Sequence, residues 1–227
     1  VPRTCCLDGP GLRERLIRLL YPEKCVFCGV LLHDSVRISA CEPCLASLPR
    51  HGKGFERIPR VPWIDGMFAP FTYEDSIERA IHAMKFFGKP KVARTLACLM
   101  WEEMMKYPLI PDFDLIVPVP MHWRKRMSRG YNQSERIGQA LGEIMDIPVK
   151  NALAKTRHTK PQSLSSREER LINLKNSVRV TDPEVVSGLS ILLVDDVVTT
   201  GATLGTCAQA LRGAGASWVF AAVIAIA

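Results

Sequence analysis

The chain has 227 residues, 47% hydrophobic and 23% charged, with a formal charge of +7, a composition ordinary for a globular protein built around a core. Its longest apolar run, Trp218 to Ala227, has ten residues, half of the ~20 that cross a bilayer as a helix; a transmembrane helix is excluded and a buried final strand is expected. The length allows one large domain, or a medium one with a small appendage. The N-terminus reads without a secretory signal, so a cytoplasmic, reducing setting is expected. Charge is uneven, with residues 111–180 net basic and residues 181–227 net acidic. Such a split suits one element that meets phosphates and another that meets hydroxyls or metal; nucleic acid is the rival explanation of the basic surplus.

Taken in order, residues 11–20 (GLRERLIRLL) place Leu12, Leu16, Leu19 and Leu20 on one helical face, which predicts a short packing helix. Next come Cys25-x-x-Cys28-Gly29 and, twelve residues on, Cys41-x-x-Cys44. Two CxxC knuckles at this separation bring four thiolates into tetrahedral reach, the pattern of a structural zinc ribbon with no open metal position. Disulfides are the alternative, and they are rare in a reducing compartment. Cys5 and Cys6 fall outside the pattern and are given no role; His33 lies between the knuckles, but four cysteines saturate the ion. Residues 50–62 are rich in Gly, Pro and basic residues and read as a linker, which gives two expected units, 1–60 and 61–227.

Beyond it, Gly66 to Tyr73 has strand character interrupted by Pro70, which predicts an edge position. Helices are expected near 75–86 and 91–106, with Lys85 and Lys89 in the break between them; both read as solvated, although Lys85 could face a site. Leu115 to Val119 predicts a second buried strand closed by Pro118 and Pro120. After it, Arg124, Lys125, Arg126 and Arg129 crowd a loop with Gly130, and a helix is expected from Glu135 to Met145. Such a loop suits a mobile basic lid over a pyrophosphate. A solvated basic surface, or a nucleic-acid patch stacking bases on Trp123 and Tyr131, is the alternative. Residues 148–154 predict a third strand, and Cys98 and Cys207 sit in apolar helical patterns as core residues.

The most informative stretch is Ile191 to Thr203, ILLVDDVVTTGAT. Ile191 to Val194 form an unbroken apolar run, as in a parallel strand buried on both faces. Leu204, Cys207, Ala208 and Leu211 then repeat at helical spacing. Strand, tight turn and helix put the turn at the carboxyl end of a sheet, where open α/β sheets bind ligands. Gly201 permits close backbone approach. Thr199, Thr200 and Thr203 supply hydroxyls, and the first free helix amides, from Ala202 on, complete a phosphate cradle. Asp195 and Asp196 beside an anion require a sugar diol or magnesium to hold. A ribose phosphate satisfies both halves.

The stretch resembles the phosphoribosyl pyrophosphate (PRPP) motif of type I phosphoribosyltransferases. The four-cysteine ribbon, the PVP strand end, RGYNQ, the segment T-x-x-Q-x-L…R-x-x-N and VDDVVTTGAT together resemble the ComF (ComFC) family of competence proteins over nearly the whole chain. The resemblance implies an α/β fold, the Rossmann-like parallel sheet of a type I phosphoribosyltransferase, joined to a small N-terminal zinc ribbon and associated with DNA uptake. It also implies PRPP with magnesium as the ligand, and single-stranded DNA and other competence proteins, such as a helicase, as partners. Carried over residue by residue, Asp195 and Asp196 match the acids that meet the ribose, and Thr199, Thr200, Gly201, Ala202 and Thr203 the 5′-phosphate loop. Val119, Pro120, Met121 and His122 match the short pyrophosphate loop, and Arg124 to Gln133 the flexible loop. Arg157, Thr159, Gln162, Arg170 and Asn173 match the signature between them. Tyr131 stands where phenylalanine is usual, and the resemblance supplies no accepting base.

Overall fold

The computed structural model describes residues 23–32, 38–58, 61–87, 90–155 and 177–227. The helix expected over 11–20, Cys5, Cys6, His33 and the segment from Arg157 to Asn173 lie outside the described residues. Past a five-residue helix α1 (Glu42–Ala46), the chain runs β1 (Gly66–Phe68), β2 (Phe71–Thr72), α2 (Asp75–Phe87), α3 (Pro90–Met104), β3 (Leu115–Pro118), α4 (Trp123–Arg129), α5 (Gln133–Met145), β4 (Leu153–Lys155), β5 (Val178–Val180), β6 (Ser190–Val198), α6 (Ala202–Gly213) and β7 (Trp218–Ile226).

The main sheet is parallel, in the order β1-β7-β6-β3, with β2 also paired to β7. Parallel strands need crossovers that cover both faces, so central strands are apolar on both sides. Leu192, Val194, Ala222 and Ile224 pack on one face with Ile77, Leu96, Ile137 and Leu141 of α2, α3 and α5. Ile191, Leu193, Val219, Ala221 and Val223 pack on the other with Leu204, Cys207, Ala208 and Leu211 of α6. The α/β class and the parallel sheet agree with the sequence reading.

Four details differ from that reading. The Gly66 to Tyr73 stretch is at the sheet edge as expected, but Ala69 and Pro70 split it into β1 and β2. The central strand does not stop at Val194: Asp195 pairs with Val223, and Val197 and Val198 pair with Ala225 and Ile226, so the acids belong to the strand and not to the turn. The strand expected over 148–154 contributes only a single bridge from Val149 to Ile116; its end, Leu153 and Ala154, enters a separate antiparallel pair, β4 with β5. The stretch that reads as a linker is held along the sheet edge by antiparallel bridges Arg50–Phe71 and Glu56–Met67. There Phe55 inserts among Phe68, Phe113 and Phe220, with ring centroids 5.5 to 5.9 Å apart, and aromatic burial overrides a composition rich in Gly and Pro.

Candidate functional site

The carboxyl ends of β6 and β3 and the N-terminus of α5 converge. Val119 donates its N–H to the Val194 carbonyl at 2.9 Å, which sets the Pro118–His122 corner against β6. Asn132 caps α5 by accepting from the Ser134 N–H, and its amide donates to the Val119 carbonyl at 2.9 Å. Ser134 in turn donates its hydroxyl to Asp195 Oδ1 at 2.7 Å. The corner, the helix start and the first acid are therefore one hydrogen-bonded unit. Sixty-one residues separate Ser134 from Asp195, and no local pattern in the sequence marks the pair.

Asp195 Oδ1 also accepts from the Asp196 N–H at 2.9 Å. Burial, and then the charge of Asp196, push the Asp195 carboxyl up to about 7, against the pull of Ser134. The unfolded chain releases this proton near 4 and the folded chain near 7, so the folded state holds more protons in between and stability falls as pH rises through that window. Asp195→Asn keeps the acceptor for Ser134 and removes the buried charge. It is expected to stabilise the free protein at pH 8 by about 1–2 kcal/mol, a gain that vanishes by pH 5 in paired thermal melts. The second acid is held differently. Asp196 Oδ1 accepts from the Val197 N–H at 2.8 Å, and Oδ2 pairs with Lys85 Nζ of α2 at 2.9 Å.

Beyond the acids, Thr199 and Thr200 lead to Gly201, which caps α6 in the left-handed conformation with φ of 76°. A side chain there would meet Val61 Cγ2 at 2.2 Å, so the residue is glycine for two independent reasons. Thr199, Thr200, Ala202 and Thr203 are exposed. The first turn of α6 presents N–H groups that a helix leaves unused; one of them, from Ala202, makes a long 3.3 Å bond to Thr200 Oγ1.

The basic stretch is not an open loop. His122 caps α4 by accepting from the Arg124 N–H, and Gly130 ends the helix with φ of 79°. Arg124 lies over the Trp123 ring, Arg126 pairs with Glu135 at 3.4 Å, and Trp123 and Met127 are exposed. These contacts are local; the described ion pairs of the acids do not include Arg124, Lys125 or Arg126. Helix-forming residues between a cap and a left-handed glycine suffice for about two turns.

At the other end of the chain, the sulfurs of Cys25, Cys28, Cys41 and Cys44 all lie within 4.8 Å of one another. Cys28 and Cys41 are 3.6 Å apart and the thiols are free, which is not a disulfide distance. A tetrahedron of 2.3 Å zinc–sulfur bonds puts its sulfurs about 3.8 Å apart, so the four can hold a metal ion.

Comparison with known proteins agrees with this geometry. The family model described as the phosphoribosyl transferase domain matches residues 132–226. The DNA utilization protein YhgH of Salmonella typhi is 33% identical over 192 residues, spanning 81% of this chain and 82% of that protein. Competence protein F of Haemophilus influenzae is 30% identical over 216 residues, spanning 85% and 92%. The chain belongs to the ComF family. A more distant ComF relative, competence protein ComFC of Bacillus subtilis, is 30% identical over 142 residues, spanning 62% and 55%. Within this ComF chain, the matched region runs from Asn132 at the α5 cap to the last residue of β7 and takes in Ser134, both acids and the Gly201 turn. No helix among the described residues is long and apolar enough to cross a membrane.

Proposed function

We propose that this ComF-family protein binds PRPP, with magnesium, at the carboxyl end of β6 and acts in DNA uptake or use. The observation that carries this reading is the succession of a paired acid, Asp195–Asp196, and a left-handed Gly201 entering α6. The acids suit the ribose hydroxyls; Thr199, Thr200, Gly201, Ala202 and Thr203 suit the 5′-phosphate. Val119, Pro120, Met121 and His122, fixed by Asn132 to α5, suit the pyrophosphate, and Arg124, Lys125, Arg126 and Arg129 of the helix that follows, α4, suit its charge. Magnesium fits through the ligand more than through the protein, because three of the four acid oxygens described here already have partners. It would offset the negative charge of the phosphates, and Asp195 and Asp196 are the residues that would hold it on the protein side. Two units, a ribbon in 1–60 and a phosphoribosyltransferase unit in 61–227, complete the reading, with zinc as the structural ion of Cys25, Cys28, Cys41 and Cys44.

Calorimetric titration with PRPP, with and without magnesium, tests it. Binding is expected, and Asp195→Asn and Thr200→Val should each weaken it about tenfold or more, the loss of one charge-assisted hydrogen bond. Heat changes absent at all magnesium levels would remove the reading and leave a nucleic-acid binder; that alternative predicts single-stranded DNA binding with a steep salt slope carried by Arg124, Lys125 and Arg126.

The run of basic residues on α4, Arg124, Lys125, Arg126 and Arg129, also supports a transferase: ribose 5-phosphate would pass from PRPP to a base or amine as pyrophosphate leaves. The C1–oxygen bond to pyrophosphate breaks, a C1–nitrogen bond forms, and the nucleophile's proton goes to solvent or pyrophosphate. Pyrophosphate release across a panel of bases separates turnover from binding alone.

A further inference from the structure

Helix α2 ends beside the acids. Lys85, in its last turn, places Nζ 2.9 Å from Asp196 Oδ2, with only 22% and 15% of the two side chains exposed. A lysine in a final helical turn is ordinarily turned to water, where it complements the helix dipole; this one is turned to the sheet. Its position is fixed from a second direction. The Tyr131 hydroxyl donates to the Met84 carbonyl, one of the four carbonyls that the end of α2 cannot satisfy internally. The phenylalanine usual at this place in RGFNQ lacks that hydroxyl. With Asp196 Oδ1 taken by the Val197 N–H and Oδ2 by Lys85, both carboxylate oxygens have partners within the protein.

Resting on the PRPP reading above, we propose that Lys85 is a further residue of the ribose-phosphate site. It holds Asp196 in the ligand-free protein and releases it to the ligand, so that binding exchanges one cation for another on that carboxylate. The ammonium takes the place that a magnesium ion or a ribose hydroxyl would claim, and it offsets part of the repulsion between the two neighbouring acids. Once displaced, it remains on a helix end anchored by Tyr131, beside a ligand whose phosphates carry several negative charges. The lysine is then a competitor of the metal and a partner of the phosphates at once.

That double role makes the magnesium dependence the diagnostic. PRPP would be titrated into the full-length protein, Lys85→Met and Lys85→Arg at a series of magnesium concentrations, with thermal melts of each as a folding control. In Lys85→Met the half-saturating magnesium concentration should fall roughly fivefold, the size expected for losing one partly buried ion pair. PRPP binding without magnesium should weaken by a similar factor, and Lys85→Arg should return both values toward the wild type. Lys85→Gln, which keeps a donor without the charge, serves if the methionine variant melts early. An identical magnesium midpoint in the wild type and in the methionine or glutamine variant, with PRPP binding intact, overturns the Lys85 assignment alone. No PRPP binding by the wild type at any magnesium level overturns the assignment together with the reading beneath it.

Discussion

Replacing Cys41 by serine is expected to abolish metal binding at the four-sulfur cluster and to unfold the segment around it. Serine cannot supply a thiolate, and a trio of crowded thiols holds zinc far less tightly than a closed tetrad. The crowding is visible in the protein itself. Burial works against a thiolate at Cys25, yet N–H groups of Cys28, Cys41 and Phe27 outweigh it and bring that thiol down to about 6; burial and the neighbouring sulfurs drive Cys44 the other way. A cation at the centre removes that conflict. Structural zinc contributes on the order of 10–16 kcal/mol in isolated fingers, more than the net stability of most domains. The damage should spread, because Phe27, Ile38, Ala40 and Leu48 belong to the same buried cluster as Phe68, Phe71 and Leu96. Metal analysis should give about one zinc per wild-type chain, as four closed ligands require, and none in Cys41→Ser, whose melting should start well below the wild type. A wild-type protein that is metal-free and melts like the variant would refute the assignment.

The second large effect is at Gly201. An alanine there must adopt the left-handed φ of 76° and place its methyl 2.2 Å from Val61 Cγ2. The conformational penalty is about 1–2 kcal/mol, and overpacking against a branched side chain adds about 1–3 kcal/mol. In a protein of this size the sum lowers Tm by about 5–15 °C. PRPP binding should be lost even where the fold survives, since relief of the clash moves the Thr199–Thr203 turn. Gly213→Ala provides the contrast. That position is the last residue of α6, has ordinary φ and meets nothing within 4 Å, so alanine should leave binding intact and gain at most about 0.5 kcal/mol. Equal damage from both substitutions would mean that the Val61 contact has no special weight.

The parts legible in the sequence are those written within a few neighbouring residues. Ile191 to Val194 announces a doubly buried strand because each residue must face one of two helical layers; the paired CxxC knuckles announce four sulfurs gathered into one cluster that can hold a metal ion. The parts that were not legible depend on residues far apart in the chain. The strand runs on through Asp195 and Asp196 because Val197 and Val198 find Ala225 and Ile226 on β7, and a short apolar run cannot reveal where its partner ends. Ser134 on Asp195 and Val61 under Gly201 are tertiary contacts with no periodicity to betray them. Lys85 was noticed as a candidate only because it falls near a helix break; that it reaches Asp196 follows from the way α2 packs. The basic stretch looked like a loop because its charges dominate its pattern, whereas the His122 cap and Gly130 stop are the stronger local signals.

Strand β7 lies between β6 and the β1–β2 edge, and among the described strands of the sheet it is synthesised after all the others. Until residues 218–226 leave the ribosome, β1 and β2 have no strand to join, and β6 has only β3 beside it. The nascent chain therefore carries apolar strand edges through most of translation, the kind of surface that invites self-association. Cellular yield should thus depend on holdase chaperones during elongation more than on the stability of the finished molecule.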